Sequence, residues 1–314
     1  MIISASRRTD IPAWHGNWFL NRLRAGEVLV RNPYRPTQIT RIPLSPRNVD
    51  CIVFWSKNPS PMLPMLSSLE DMGYVYYFQF TLTPYGNDLE PGLPEKEQLL
   101  QTFLQLCEQL GPQRVIWRYD PVIVSRVYPV EYHIRAFERM ASALMGKVKR
   151  CVFSFFDYYP FLGTQGKEWA AALTPFIMDQ LAFAFSQAAS SCGIELCTCA
   201  EERDFSRYGI HRGACIDRKW IENLLSCPLA SRADMARPQR PFCSCMESVD
   251  IGAYGTCGHG CLYCYAKQGK RMRILDEKSP LLDGFPNASD LIRTKDMKSL
   301  RTPKQLSFFP SSSL

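Results

Sequence analysis

The sequence predicts an α/β protein built on a TIM-like (β/α) barrel, full or partial. Three observations predict it. Six apolar, β-rich runs alternate with amphipathic helical patterns over the first two hundred residues, as in repeated βα units around a parallel sheet. No glycine-rich phosphate fingerprint follows the first run, which weakens the doubly wound dinucleotide-binding alternative. Each run ends in polar or charged residues: SASRRTD, WSKNP, QFTLTPYG, RYDP, SFFD and CTCAEE. In such barrels the C-terminal ends of the strands carry the active site.

The elements follow in order. Strands are expected at 2–6, 51–57, 74–82, 115–123, 151–157 and 194–199, all rich in Val, Ile, Phe, Tyr and Trp. Helices are expected at 14–24, 61–72, 95–110, 130–145 and 175–191. In the third of these Leu99, Phe103, Leu106 and Leu110 share a face at three- and four-residue spacing. Gly26, Gly73, Gly111, Gly146 and Gly193 each stand just past a helical pattern, where a left-handed cap favours glycine. The five aromatics between Tyr74 and Phe80 read as core. A further strand-like run, 249–254, precedes a cysteine-rich loop.

The chain has 314 residues, 46% of them hydrophobic and 21% charged, which excludes a disordered chain, a collagen-like repeat and a coiled coil. One barrel domain over 1–285, with the cysteine loop at 255–266, and a basic, mobile tail over 286–314 are expected. Residues 267–304 hold ten Lys or Arg against five Asp or Glu, a net of +5 out of the chain's +7. No apolar run is long enough to span a bilayer. The opening residues put their charges after the apolar stretch, the reverse of a secretory signal. A cytoplasmic protein with no membrane partner is expected. Thirteen cysteines in a reducing compartment point to metal or redox chemistry rather than disulfides.

The strongest local signal is DIGAYGTCGHGCLYCYA. Cys257, Cys261 and Cys264 form a C-x3-C-x2-C triplet, and soft thiolates suit iron–sulfur clusters and zinc. Three ligands do not complete a four-ligand cage. Either a fourth comes from elsewhere, with Cys243, Cys245 or His259 at hand for a structural zinc, or one position stays open to a reactant. Gly255, Gly258 and Gly260 let the backbone wrap closely. Period-two alternation places Arg118 and Asp120 on one side of their strand, and Gln79, Thr81 and Thr83 on one side of theirs. Cys197, Cys199, Cys215, Cys243 and Cys245 invite a second site. A second cluster or zinc is expected at Cys199, Cys215, Cys243 and Cys245. Cys51, Cys107, Cys151, Cys192 and Cys227 read as structural.

The triplet, with Tyr263 before its last cysteine, resembles the cluster motif of radical S-adenosylmethionine (SAM) enzymes. YCYA is similar to the spore-photoproduct-lyase-like branch, often labelled DNA repair photolyases. From SASRRTDIPA to DIGAYGTCGHGCLYCYA, over roughly residues 1–285, the chain resembles the bacterial domain-of-unknown-function family 1848. The resemblance implies a 4Fe–4S cluster on the three cysteines, with SAM on the open iron and an electron donor of flavodoxin or ferredoxin type. It implies a 5′-deoxyadenosyl radical that abstracts hydrogen from a substrate, with a nucleic-acid or nucleotide lesion as the leading class. That superfamily usually carries its motif after the first strand; here it comes last, so a circular permutation is expected, with 249–254 beside 2–6. The superfamily's Gly-Gly-Glu run is absent after 2–6. Ser6, Arg7, Arg8 and Asp10 stand there instead and would serve SAM or the substrate. Arg8, Asp10, Lys57, Arg118, Asp120 and Cys199 are the expected catalytic residues, with Cys199 also a candidate hydrogen donor. Ser6, Arg7, Asn58, Gln79, Thr81, Asp157 and Glu201 are expected to bind cofactor. In the tail, Gln305, Leu306, Ser307, Phe308 and Phe309 are similar to the peptide that repair proteins dock on the DNA sliding clamp. Two rivals carry no catalysis: an iron–sulfur protein that senses redox state or passes electrons, and a zinc-stabilised nucleic-acid-binding module.

Overall fold

Eight strands make an all-parallel sheet in the order β10-β1-β4-β5-β6-β7-β8-β9. They are β1 (Ile2–Ala5), β4 (Cys51–Ser56), β5 (Tyr76–Thr81), β6 (Val115–Val122), β7 (Arg150–Phe155), β8 (Glu195–Cys199), β9 (His211–Gly213) and β10 (Val249–Asp250). A second sheet pairs β2 (Glu27–Asn32), β3 (Arg35–Pro43) and β11 (Leu291–Thr294). The helices are α1 (Ile11–Trp14), α2 (Gly16–Ala25), α3 (Leu66–Asp71), α4 (Lys96–Leu110), α5 (Val130–Ala143), α6 (Gly163–Ala172), α7 (Pro175–Ser191) and α8 (Arg218–Leu225). This computed structural model describes residues 1–230, 241–267, 276–295 and 300–301. No described helix is long and apolar enough to cross a membrane.

The expected alternation is present: all six strands and four of the five helices stand within two residues of their expected bounds. The exception is 61–72, which opens as a 3-10 turn over Ser60–Met65 before α3, because Pro61 and Pro64 remove donors that an α-helix needs. All five expected capping glycines adopt positive φ, between 66° and 80°. β10 lies parallel to β1 with Ile3 opposite Val249 and Ser4 opposite Asp250, so the late strand-like run does sit beside the first strand. Among the described residues no ladder joins β9 to β10, so the hydrogen-bonded array is an open order of eight strands rather than a closed ring.

The layering is one-sided. Apolar residues of α2, α3, α4, α5 and α7 share one cluster with Ile3, Phe54, Phe78, Trp117 and Phe153. Phe137 of α5 stacks between Trp117 and Phe185, at 4.8 and 4.2 Å between ring centroids. Each burial of this kind contributes roughly 1.5–3 kcal/mol. The other face carries Ile2, Val53, Tyr77, Ile116 and Val152, and is covered by Ile216 with Trp220 and Ile221 of α8. The aromatics from Tyr74 to Phe80 are all core, as expected.

Two regions correct the sequence reading. The β2–β3 hairpin carries no clean alternation, since much of β3 faces solvent, and it was expected as no element. Within the stretch expected as a mobile tail from 286, the described residues make specific contacts. β11 pairs with β3, Arg31 binds Asp290, and buried Arg301 donates to Asp50 at 3.0 Å. Charge that reads as a solvated run is here partly spent on specific pairs. The clamp-like peptide 305–309 lies outside the described residues.

Candidate functional site

The cysteine loop is fastened to the C-terminal ends of β1 and β4. Asp10 does most of the fastening. Its Oδ1 accepts from Ala13 N at 3.0 Å, capping α1, and its Oδ2 accepts from Lys57 N at 2.8 Å. The same Oδ2 meets His259 Nε2 at 2.8 Å. His15 Nε2 stands 3.0 Å from Thr256 O and holds the loop's start. Both His259 nitrogens face Asp10 and Gly92 O, so His259 braces the loop and does not stand as a zinc ligand.

Gly258 is required by space rather than by φ. A Cβ there would fall 2.4 Å from the Trp14 ring. Gly260, at φ +67°, is required by φ. The glycines expected to let the loop wrap do so against protein, Trp14 above all.

The three thiols lie within electrostatic reach of one another. Cys264 and Cys257 both act electrostatically on Cys261, and Lys57 faces Cys261 and Cys264. Backbone N–H groups of His259 and Asp10 are aimed at the Cys257 sulfur, and those of Ala266 and Lys267 at the Cys264 sulfur. N–H groups converging on cysteine sulfur are a recurrent device for holding and tuning thiolate ligands. Burial pushes the Cys257 thiol up to about 12 and moves Cys261 and Cys264 the same way. At neutral pH these are protonated thiols, and a bound cation would have to displace the protons. As they stand, no three His, Cys, Asp or Glu among the described residues converge to hold a single metal ion.

Behind Cys261 lies a buried ionic knot that the sequence reading missed. Glu90, only 1% exposed, accepts from Lys57 Nζ and Thr83 Oγ1 at 2.8 Å each, and from Lys96 and the Tyr263 hydroxyl. Burial alone would raise the Glu90 carboxyl, but Lys57 and Lys96 hold it down at about 2. Lys57 Nζ also sits 5.6 Å from the centroid of the Tyr263 ring. Glu90 lies in a loop run, GNDLEPG, whose pattern carries no chemical signal. Tyr263 stands inside the motif itself.

The β1 turn is organised by a second missed residue, Asp250. It accepts from Ser4 Oγ at 2.9 Å, Ser6 Oγ at 2.7 Å, Arg7 N at 2.8 Å and Gly252 N at 3.0 Å. Arg8 reaches Gly252 O at 3.3 Å and lies over the Tyr254 ring, lining a cavity of about 340 Å³ with Tyr34, Leu281 and Asp283. The Trp55 ring is flanked by the guanidiniums of Arg7 and Arg118, at 4.7 and 5.1 Å from its centroid.

On the sheet face that α8 covers, Arg118 binds Asp120, which also accepts from Ser154. The Arg118 Nη1 donates to Cys215 Sγ at 2.7 Å. Gln79 Nε2 donates to Cys215 O at 2.7 Å. Cys199 Sγ is 3.1 Å from Cys215 Sγ. Lys57 feels the charge of both Asp120 and Cys261, so this face and the cysteine loop are electrostatic neighbours. Of the remaining expected residues, Asn58 caps Ser60 N at 3.3 Å, Glu201 accepts from Phe155 N at 2.9 Å, Thr81 is half-buried and Asp157 is exposed. Cys197 turns to Glu195 at 3.6 Å, apart from the expected second set. Cys51, Cys107, Cys151 and Cys192 are buried, as expected of structural residues.

Comparison with protein families places this architecture. The family described as Domain of unknown function (DUF1848) matches residues 2–266. The chain belongs to that family. Its matched span takes in every strand of the parallel sheet and ends just past Cys264, so sheet and cysteine loop are one DUF1848 unit. No curated protein compared with the chain matches it.

Proposed function

We propose that this DUF1848 protein is an iron–sulfur, radical-SAM-like enzyme on a circularly permuted, partial (β/α) barrel. The observation that carries the reading is the loop of Cys257, Cys261 and Cys264, with N–H groups aimed at two of its sulfurs. The one-sided helical layer and the β10–β1 pairing support the permuted barrel. The donor set fits a 4Fe–4S cluster: three soft thiols on one short loop, Cys261 buried and Cys257 and Cys264 half-buried, with both His259 nitrogens already engaged elsewhere. A cube of irons holds its thiolates further apart than one ion does, which suits three thiols that do not converge on one point.

With cluster and SAM bound, the site would gain reductive cleavage of SAM to a 5′-deoxyadenosyl radical. The chain's own residues bind and exclude. The Lys57 charge beside Cys261 favours its thiolate, while burial and the Glu90 carboxylate oppose it. Arg7, Arg8 and Arg118 present guanidiniums suited to carboxylate or phosphate groups. Tyr263 and Tyr85 wall the loop with buried rings that keep water from a reactive species. An anionic substrate such as a nucleotide suits this cationic lining, and a flavodoxin- or ferredoxin-type donor would supply the electron.

The test is anaerobic. Reconstituted protein is reduced with SAM and assayed for 5′-deoxyadenosine beside the Cys257→Ala, Cys261→Ala, Cys264→Ala variant. The expected result is product from the wild type and only background from the variant. Iron bound by the wild type without 5′-deoxyadenosine would leave a non-catalytic iron–sulfur protein. Equal iron in both would remove the cluster.

A further inference from the structure

Four more cysteines form a second set, of which Cys199, Cys215 and Cys245 lie on the sheet face that α8 covers. Cys199 ends β8, and Cys215 stands just before α8. Their sulfurs are 3.1 Å apart. Cys245 lies within electrostatic reach of Cys215, and its sulfur accepts from Ile216 N at 3.4 Å. Cys243 lies within electrostatic reach of Cys245, Cys199 and Cys215. The four thiols are therefore near neighbours in a row, 199–215–245–243, with the Cys199 and Cys215 sulfurs in contact. None of the four is in a disulfide, and Cys199 and Cys215 are buried.

The surroundings are not those of idle core thiols. Arg118, 4% exposed, donates to Cys215 Sγ at 2.7 Å, although a neutral thiol is a weak acceptor. A buried guanidinium so close to sulfur suits a thiolate. Arg7 is a second cation beside Cys245 and Cys215. Two neutral donors, the Tyr77 hydroxyl at 2.8 Å and Gln79 Nε2 at 2.7 Å, fix the Cys215 carbonyl and hence its side chain. Such outer-shell support is what orients metal ligands.

We propose that Cys199, Cys215, Cys243 and Cys245 form a second metal site, a four-thiolate centre for a thiophilic metal, zinc or iron. In a tetrahedral zinc site with Zn–S near 2.3 Å, neighbouring sulfurs lie about 3.8 Å apart. The Cys199–Cys215 pair is within 1 Å of that spacing. A disulfide would need about 2.05 Å, a full ångström closer. The row does not yet close on one point, so filling it draws Cys243 and Cys245 inward. This proposal uses none of the triplet's residues and does not depend on radical chemistry.

The full chain, reconstituted anaerobically, is analysed for iron, sulfide and zinc per chain in three forms: wild type, the Cys257, Cys261, Cys264 triple alanine variant, and Cys215→Ser with Cys245→Ser. The triple variant is expected to retain metal, about one zinc or about four irons with sulfide. The double variant is expected to lose that metal and keep the iron of the triplet. Cys243→Ser, at the half-buried end of the row, is expected to weaken metal retention at least tenfold with an unchanged circular dichroism spectrum. A folded triple variant that binds neither zinc nor iron would overturn the proposal. So would a Cys199–Cys215 disulfide mapped by mass spectrometry in metal-free protein isolated without oxygen. Metal equal in wild type and triple variant would instead overturn the cluster reading of the triplet and leave the second site standing.

Discussion

At Glu90 one carboxylate holds two lysines, a threonine and a tyrosine behind the cysteine loop. Its carboxyl lies at about 2 in the folded chain against an ordinary 4.5. A depressed carboxyl contributes stability above its ordinary value, and loses it as pH falls through the folded value. The shift corresponds to about 3 kcal/mol. Glu90→Gln is therefore expected to be less stable than the wild type by up to that amount above pH 4.5. The gap should narrow steadily as pH falls from 4.5 toward 2, since the wild-type carboxyl is then neutral as well. Urea denaturation of both proteins at several pH values measures it, and a gap that stays constant across the window would reject the linkage. Asp10 and Asp250 act by geometry instead, each as a multiple acceptor that locks a turn. Of these three carboxylates only Asp10 was legible in the sequence, because it closes a strand-end run. Asp250 gains its importance from β1 residues more than two hundred positions away, and Glu90 from side chains on separate elements that only the fold gathers, which no local pattern encodes.

Elements were far more legible than contacts. Parallel strands buried on both faces leave continuous apolar runs, and α4 and α5 leave a three-and-four spacing, so both register in the sequence at short range. The hairpin of β2 and β3 did not register, because its partner β11 arrives from 250 residues downstream and its exposed side has no fixed alternation. In the site, the triplet was legible from spacing alone, whereas the roles of Trp14 and His259 rest on close packing. Gly258 shows what that packing demands. Alanine there would place Cβ 2.4 Å from the Trp14 ring. Gly258→Ala is expected to cost about 1–3 kcal/mol and to lower iron retention, as an overpacked site does. Adding Trp14→Ala should restore part of both losses, because the clash is then gone. Thermal melting and iron analysis of the two single variants and the double variant make the cycle. Strictly additive effects would mean that the ring is not what excludes a side chain.

Across the whole molecule, the far end of the described chain closes on its beginning. Arg301 is 6% exposed in its side chain and Asp50, next to β4, is fully buried. Asp50 accepts from Arg301 Nε at 3.0 Å and from Leu300 N at 2.7 Å, while Arg301 also reaches Pro46 O at 3.0 Å. Together with β11 on β3 and β10 on β1, this brings residues from the last quarter of the sequence against three of its earliest elements. The edge of the sheet at β10 thus pairs with a strand nearly 250 residues earlier in sequence. The Met1 ammonium also pairs with Asp50, so removing Arg301 takes away one of two buried cations and leaves hydrogen-bonding groups unpaired, at a cost of about 1–3 kcal/mol. Arg301→Ala is expected to lower the urea midpoint accordingly with little change in slope. The contrasting pair is Lys295 with Glu247, roughly half-exposed on both sides and 3.6 Å apart. Lys295→Ala should change stability by less than about 1 kcal/mol, because water and salt already screen that pair. Equal effects from the two substitutions would mean that Arg301 is not a buried clasp, and the stretch from 286 onward would then behave as the solvated basic run that its composition suggests.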